Sequence, residues 1–299
     1  MKTTAAVFCA IFAAIFFNVA GFLQKKAVDK LPRVGLKPSW TVFKAFITNK
    51  PWIISYLVSV IGGGFYAVAV ALAPISIVQP IVSAGVALLV YLAVRNLGER
   101  LRFSDFFAIG CTVLGVGMIG ISVSEGVSSP KPYDAVILWV FAGTVFFLAC
   151  AIPFVFGKSG TRQGTILAVS TGLLFGLAAV FSRLLLVDWS NQWKEKGILV
   201  IFSSVFLIAL AVANILGIVI MQAAFQRGLA SIVGPVVGGL NQAVPILAGM
   251  LVLREPLPKS VYLSALRILA FFLILGATIF LSRRAEEFPI KRIAEESGE

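Results

Sequence analysis

Residues 72–101 read LAPISIVQPIVSAGVALLVYLAVRNLGERL, and residues 229–257 read LASIVGPVVGGLNQAVPILAGMLVLREPL. Each stretch opens at a short turn and carries a proline a few residues later, Pro80 after Ile77-Val78-Gln79 and Pro235 after Ile232-Val233-Gly234. Each closes on an acidic turn, Gly98-Glu99-Arg100-Leu101 in the first and Arg254-Glu255-Pro256-Leu257 in the second. The prolines lie 155 residues apart and the glutamates 156, so a single gap aligns the two. Apolar composition alone could mimic the runs, but not a paired proline and glutamate at one spacing. The chain therefore reads as an internal repeat.

What surrounds the two copies decides their orientation. Of the 299 residues, 59% are hydrophobic and 13% charged, and the mean hydropathy is +1.00. Soluble domains carry about 25% charged residues, and disorder needs low hydrophobicity, so both classes are excluded. Apolar runs of about 20 residues are the length at which a helix crosses a bilayer. Nine spans are predicted, at about 4–26, 52–73, 75–95, 104–123, 135–157, 164–187, 198–225, 229–253 and 260–282. The segment Lys37–Lys50 is too short and too charged to cross, and reads as an amphipathic interfacial helix.

The two copies occupy spans 3 and 8. Five steps separate them, so they cross in opposite directions. The fold class expected is thus an all-α polytopic bundle of two inverted four-helix repeats, residues 1–123 and 164–282, joined by a linking helix within 124–163 and followed by a tail at 283–299. Inverted repeats are the architecture of secondary transporters, because exchanging the conformations of two equivalent halves moves access from one side of a central site to the other.

Basic residues set the expected orientation. The loops after spans 1, 3, 5 and 7, with the tail, hold 17 Lys and Arg against 7 on the other side. This places the chain as multi-pass in the cell membrane with its N-terminus outside and its C-terminus in the cytoplasm. The net charge of +12 is explained by that bias, so no nucleic-acid partner is expected. Histidine is absent, and Cys9, Cys111 and Cys150 stand singly in apolar runs. No metal site, cofactor or enzymatic activity is expected. With no nucleotide-binding motif, active transport would need an ion gradient or exchange.

The residues also resemble a known family. Ala71-Leu72-Ala73-Pro74 with Val78-Gln79-Pro80 and Gly98-Glu99-Arg100-Leu101 resembles the drug/metabolite transporter (DMT) superfamily, EamA-type. The second copy matches in Gln222-Ala223-Ala224, Gly228-Leu229-Ala230, Pro235 and Glu255. Within it, Lys25-Lys26 ending the first helix, Pro51-Trp52 opening the second and Phe65-Tyr66-Ala67 leading to Ala73-Pro74 resemble the NIPA-like magnesium transporter branch. The resemblance covers nearly the whole chain and implies nine spans. One departure stands out. Where that branch carries a Gly-Glu pair and an Asn, this chain has Gly62-Gly63-Gly64.

Polar groups at membrane depth are costly and mark functional positions. All 13 acidic residues fall at span ends, in loops or in the tail, so a neutral site is expected. The substrate-binding candidates are Asn18, Tyr66, Gln79, Ser83, Gln222, Asn241 and Gln242, whose amides and hydroxyls both donate and accept. The alternative role for each is hydrogen-bonding between helices. Pro80 and Pro235 are candidate hinges, since each removes a backbone hydrogen bond within its span. Gly62–Gly64, Gly85, Gly234, Gly238 and Gly239 permit bending or close helix approach. Glu99 and Glu255 lie beside Arg100 and Arg254, which suggests local ion pairs or helix-end contacts. The leading expectation is a secondary carrier of a small polar or amphipathic metabolite, with a NIPA-like magnesium permease as the alternative. The partners are then a small-molecule solute or Mg²⁺ and the lipid bilayer, with a homodimer left open.

Overall fold

The computed structural model describes residues 2–35, 40–73, 75–122, 134–156, 162–196, 204–253 and 258–284. The second acidic turn, Arg254 to Leu257, and the tail beyond Arg284 lie outside these, as do the side chains of Gln79, Pro80 and Ser83. Among the described residues the chain is all-helical: α1 (Lys2–Val28), α2 (Trp40–Ile47), α3 (Lys50–Leu72), α4 (Ile75–Ala84), α5 (Val86–Leu97), α6 (Phe103–Ser122), α7 (Ala135–Phe156), α8 (Arg162–Lys196), α9 (Val205–Arg227), α10 (Ala230–Leu251) and α11 (Val261–Arg284). Eight of these are long and apolar enough to cross a membrane. Large apolar side chains such as Phe107, Val136, Phe147, Phe154 and Ile215 are exposed around the bundle, which suits lipid as the outer solvent. This is a polytopic all-α membrane protein.

The span expected at 75–95 is two helices, α4 and α5, meeting at Gly85. There the Gly85 N–H bonds Val82 O at 3.1 Å and the Leu88 N–H bonds Gly85 O at 2.9 Å, so the helix tightens into three-residue turns. Crowding explains why glycine sits there. A Cβ on Gly85 would lie 2.6 Å from Asn18 Nδ2 and 2.8 Å from Ala14 Cβ. The short amphipathic helix is present as α2, with Trp40, Phe43 and Ile47 exposed and Phe46 buried against Trp52, edge to face at 5.6 Å.

Helix ends follow local chemistry. The Asn49 side chain accepts the Trp52 N–H at 2.9 Å, with Pro51 in the first turn of α3, where a missing N–H costs nothing. Gly98 ends α5 in the left-handed region at φ 66°, and its N–H returns to Ala93 O, a glycine terminator.

The closest-packed neighbours are α1 with α3, α8 with α9, α8 with α10, and α6 with α11. Glycines set several of these distances. On α3, Gly62 lies against Phe16 and Phe17 of α1; on α9, Gly217 lies against Phe175 of α8. Gly85 meets Ala14 and Asn18 of α1, while Leu240 of α10 meets Gly172 and Gly176 of α8. Across the middle, Gly115 of α6 lies against Ala270 O and Ile274 of α11.

Candidate functional site

A cavity of about 600 Å³ opens among α1, α3, α4, α5, α6, α8, α9 and α10. Its walls carry Phe17, Val86, Leu89, Val116, Phe175 and Val233, and its polar groups come from five helices. Asn18 and Gln24 stand on α1, Tyr56, Ser59 and Tyr66 on α3, Thr112 on α6, Asn214 on α9, and Asn241 and Gln242 on α10. Every polar side chain among these is an amide or a hydroxyl. Among the described residues no three His, Cys, Asp or Glu come together, and all three cysteines are free.

Several of these groups are held by their own helices. Asn18 Nδ2 donates to Ala14 O at 2.7 Å, Asn214 Nδ2 to Leu210 O at 3.0 Å, and Thr112 Oγ1 to Ala108 O at 3.1 Å. Each contact spends a donor on the backbone, and amides oriented in this way have an acceptor oxygen to offer a solute. Gln24 is different. It is 4% exposed, and its Oε1 has no hydrogen-bond partner. Leaving such an acceptor buried and unmet costs about 1–3 kcal/mol.

Of the seven binding candidates, Asn18, Tyr66, Asn241 and Gln242 line the cavity. Gln222 does not. Its Nε2 donates to Tyr56 OH at 3.0 Å, and its Oε1 accepts from Trp52 Nε1 at 3.1 Å. It therefore ties α9 to α3 beneath the cavity wall, which is the interhelical role. Gln79 and Ser83 lie outside the described side chains. Pro235 lines the cavity within α10; its counterpart Pro80 lies within α4, its side chain outside those described. Gln24, Ser59 and Thr112 were not singled out by the sequence. Gln24 was masked by the adjoining Lys25-Lys26, which reads as a helix end, although Asn18, Gly21 and Gln24 share a three-residue spacing that could have found it.

Beside the cavity, polar contacts tie α1 and the segment after it to the end of α9. Lys25 Nζ donates to Phe225 O and pairs with Asp29 at 2.8 Å, so it bridges α1 and α9 rather than reaching outward along the chain surface. Gln226 Nε2 donates to Pro32 O at 3.0 Å, its Oε1 accepts the Val34 N–H at 2.8 Å, and Arg227 donates to Val34 O at 2.6 Å. Glu99 holds the adjoining α9–α10 turn. Its carboxylate accepts the Ala230 N–H at 2.7 Å, the Ser231 N–H at 3.0 Å and the Ser231 hydroxyl. The first acidic turn therefore caps the helix that opens the second copy. Of the two expected roles for Glu99, the helix-end contact is the one formed. Arg267 is likewise taken by a helix end, donating from Nε to Ser122 Oγ at 3.1 Å and from its terminal nitrogen to Ser122 O at 2.9 Å.

Comparison with known proteins finds a relative in Arabidopsis thaliana described as "Probable magnesium transporter NIPA9". It is 27% identical over 281 residues, which span 88% of this chain and 78% of that protein. This agrees with the NIPA-like resemblance read from Lys25-Lys26, Pro51-Trp52 and Phe65-Tyr66-Ala67. No family model matches the chain, so the wider superfamily resemblance rests on the motifs alone. No solved structure matches it.

Proposed function

We propose that this protein is a membrane transporter that passes magnesium through the central cavity as an ion still carrying water. The observation that carries the reading is the lining of oxygen-bearing amides and hydroxyls without a cation, in a chain similar to a protein described as a magnesium transporter. Mg²⁺ holds its waters tightly and keeps several of them in most protein sites. Six waters at about 30 Å³ each occupy roughly 180 Å³, which the cavity of about 600 Å³ admits. Neutral amide oxygens suit water ligands, and the Gly62-Gly63-Gly64 run removes the carboxylate that direct coordination would use. The departure from the branch pattern thus bears on the form in which the ion moves.

Alternating access between inverted repeats is the mechanism we assign, with the Lys25 end of α1 facing the cytoplasm as the basic-residue bias indicates. Packing supports the repeat. Gly62 and Gly217 lie 155 residues apart, as do Gly115 and Ala270 and the positions Gly85 and Leu240. Each pair of positions makes the corresponding contact in its own half, or meets its counterpart across the middle. At one site the small residue has changed sides: glycine is on α5's approach in the first half and on α8 in the second.

A second reading, a carrier of a small polar metabolite, is favoured by the lack of any described acidic cluster. Thermal unfolding of the purified protein separates the two. A ligand binding only the folded state at 100 times its Kd adds about 2.7 kcal/mol. We expect a shift with Mg²⁺ exceeding that with Ca²⁺ at equal ionic strength. A shift confined to amino acids, bases or sugars would replace magnesium with the metabolite reading, and a flat response to the whole panel would contradict both.

A further inference from the structure

We infer that Gln24 is a solute-contacting residue: its amide oxygen receives a hydrogen bond from the water shell of the transported ion at the Lys25 end of the cavity. This rests on the magnesium reading and assigns that solute a contact that the sequence pattern did not mark. Three observations carry it. The side chain is more than nine-tenths buried, its Oε1 is shut off from water and has no partner within the protein, and the residue lines the cavity, so that a turn of the amide presents the oxygen to the solute. A buried acceptor is retained at a cost unless something donates to it. An oxygen acceptor selects for a donor, so the fitting solute is a hydrated cation rather than an anion.

Its placement fits a single ion. Asn18, Gly21 and Gln24 follow one another along the cavity side of α1, and six residues of helix rise about 9 Å. A magnesium ion with one water on either side spans a similar distance between two acceptors, given metal–oxygen bonds of about 2.1 Å and hydrogen bonds of about 2.8 Å. Gly21 leaves the wall between the two amides without a side chain. The next residue, Lys25, holds α1 to α9 through Phe225 O, so the contact lies next to that tie.

The test uses the full chain in liposomes with a trapped magnesium indicator, together with thermal unfolding with and without Mg²⁺. Gln24→Met removes the acceptor at nearly constant volume. We expect KM for Mg²⁺ to rise about tenfold and the Mg²⁺-induced unfolding shift to shrink, while the ion-free protein is as stable as wild type or more so. Gln24→Glu restores an acceptor and adds charge, and should bring KM to or below the wild-type value. A purely structural amide would give the opposite pattern, with lowered ion-free stability and unchanged KM in Gln24→Met. Unchanged KM in both variants, with wild-type uptake intact, would overturn the inference alone. A wild type that neither transports nor responds to Mg²⁺ would overturn it together with the magnesium reading.

Discussion

Glu99→Ala should destabilise the protein by about 3–5 kcal/mol. The carboxylate is 6% exposed and receives three donors from the first turn of α10, the Ala230 and Ser231 N–H groups and the Ser231 hydroxyl. Hydrogen bonds to charged groups are worth about 1.5–3 kcal/mol, and each buried donor left unmet costs a similar amount. A negative charge at a helix N-terminus adds up to about 2 kcal/mol in partly buried settings. Against these stands the cost of burying the carboxylate, which the alanine variant recovers; the estimate is the net. Glu99→Gln should fall between, because an amide can accept one of the N–H groups but turns a donor toward the others. Denaturant unfolding in a fixed detergent measures the series. A Glu99→Ala protein within 1 kcal/mol of wild type would mean that desolvation cancels the cap.

The second large effect is expected at Gly164. A Cβ there would lie 2.3 Å from both the Cα and the N of Gly228 and 2.7 Å from the carbonyl carbon of Arg227. These are backbone atoms, and Gly228 is itself tied by its N–H to Ala224 O at 2.8 Å, so no rotamer change relieves the overlap. Gly164→Ala should therefore cost about 3 kcal/mol, at the upper end of ordinary overpacking, even though alanine is the better helix former by about 1 kcal/mol. Gly63→Ala and Gly64→Ala are the matched controls, since a Cβ at either meets nothing within 4 Å. They should be neutral or gain up to about 1 kcal/mol. Equal stabilities for Gly164→Ala and Gly63→Ala would show that α8 does not approach the α9–α10 turn this closely.

The two expected effects meet at one place, the turn from Arg227 to Ser231. It receives the cap from Glu99, the close approach of Gly164 and the side-chain bonds of Gln226 and Arg227. That convergence could not be read from the chain. The sequence marked Glu99 through its pairing with Glu255, yet its partners are 131 and 132 residues away, and the neighbouring Arg100 offered a simpler ion pair. What periodicity and length reveal is which segments lie in the membrane, because the bilayer imposes the span. What they do not reveal is which polar atoms a helix turns inward.

Particular residues show both sides of this. Glycine at positions 62, 85, 234 and 239 read as permitting close approach, and the structure places a neighbour against each, from Phe17 at Gly62 to Leu89 at Gly234. Gly63, Gly64 and Gly238, of the same appearance in sequence, meet nothing within 4 Å of an added Cβ. Asn18 and Asn241 read as pathway residues and line the cavity. Gln222 read the same way but is spent on Trp52 and Tyr56, because both partners come from α3 and become neighbours only when α9 packs beside it. The division of the third span at Gly85 also needed the fold: only the pressing of Asn18 and Ala14 against that position turns a permissive residue into a required one.

The most direct measurement is uptake of Mg²⁺ by liposomes containing the purified wild-type chain, followed with a trapped indicator against protein-free liposomes. The account predicts protein-dependent entry that saturates with Mg²⁺ concentration, as a carrier with a defined site requires, and that exceeds entry of Ca²⁺ under the same gradient. Entry no faster than in protein-free liposomes, from protein shown to be folded and correctly inserted, would contradict it.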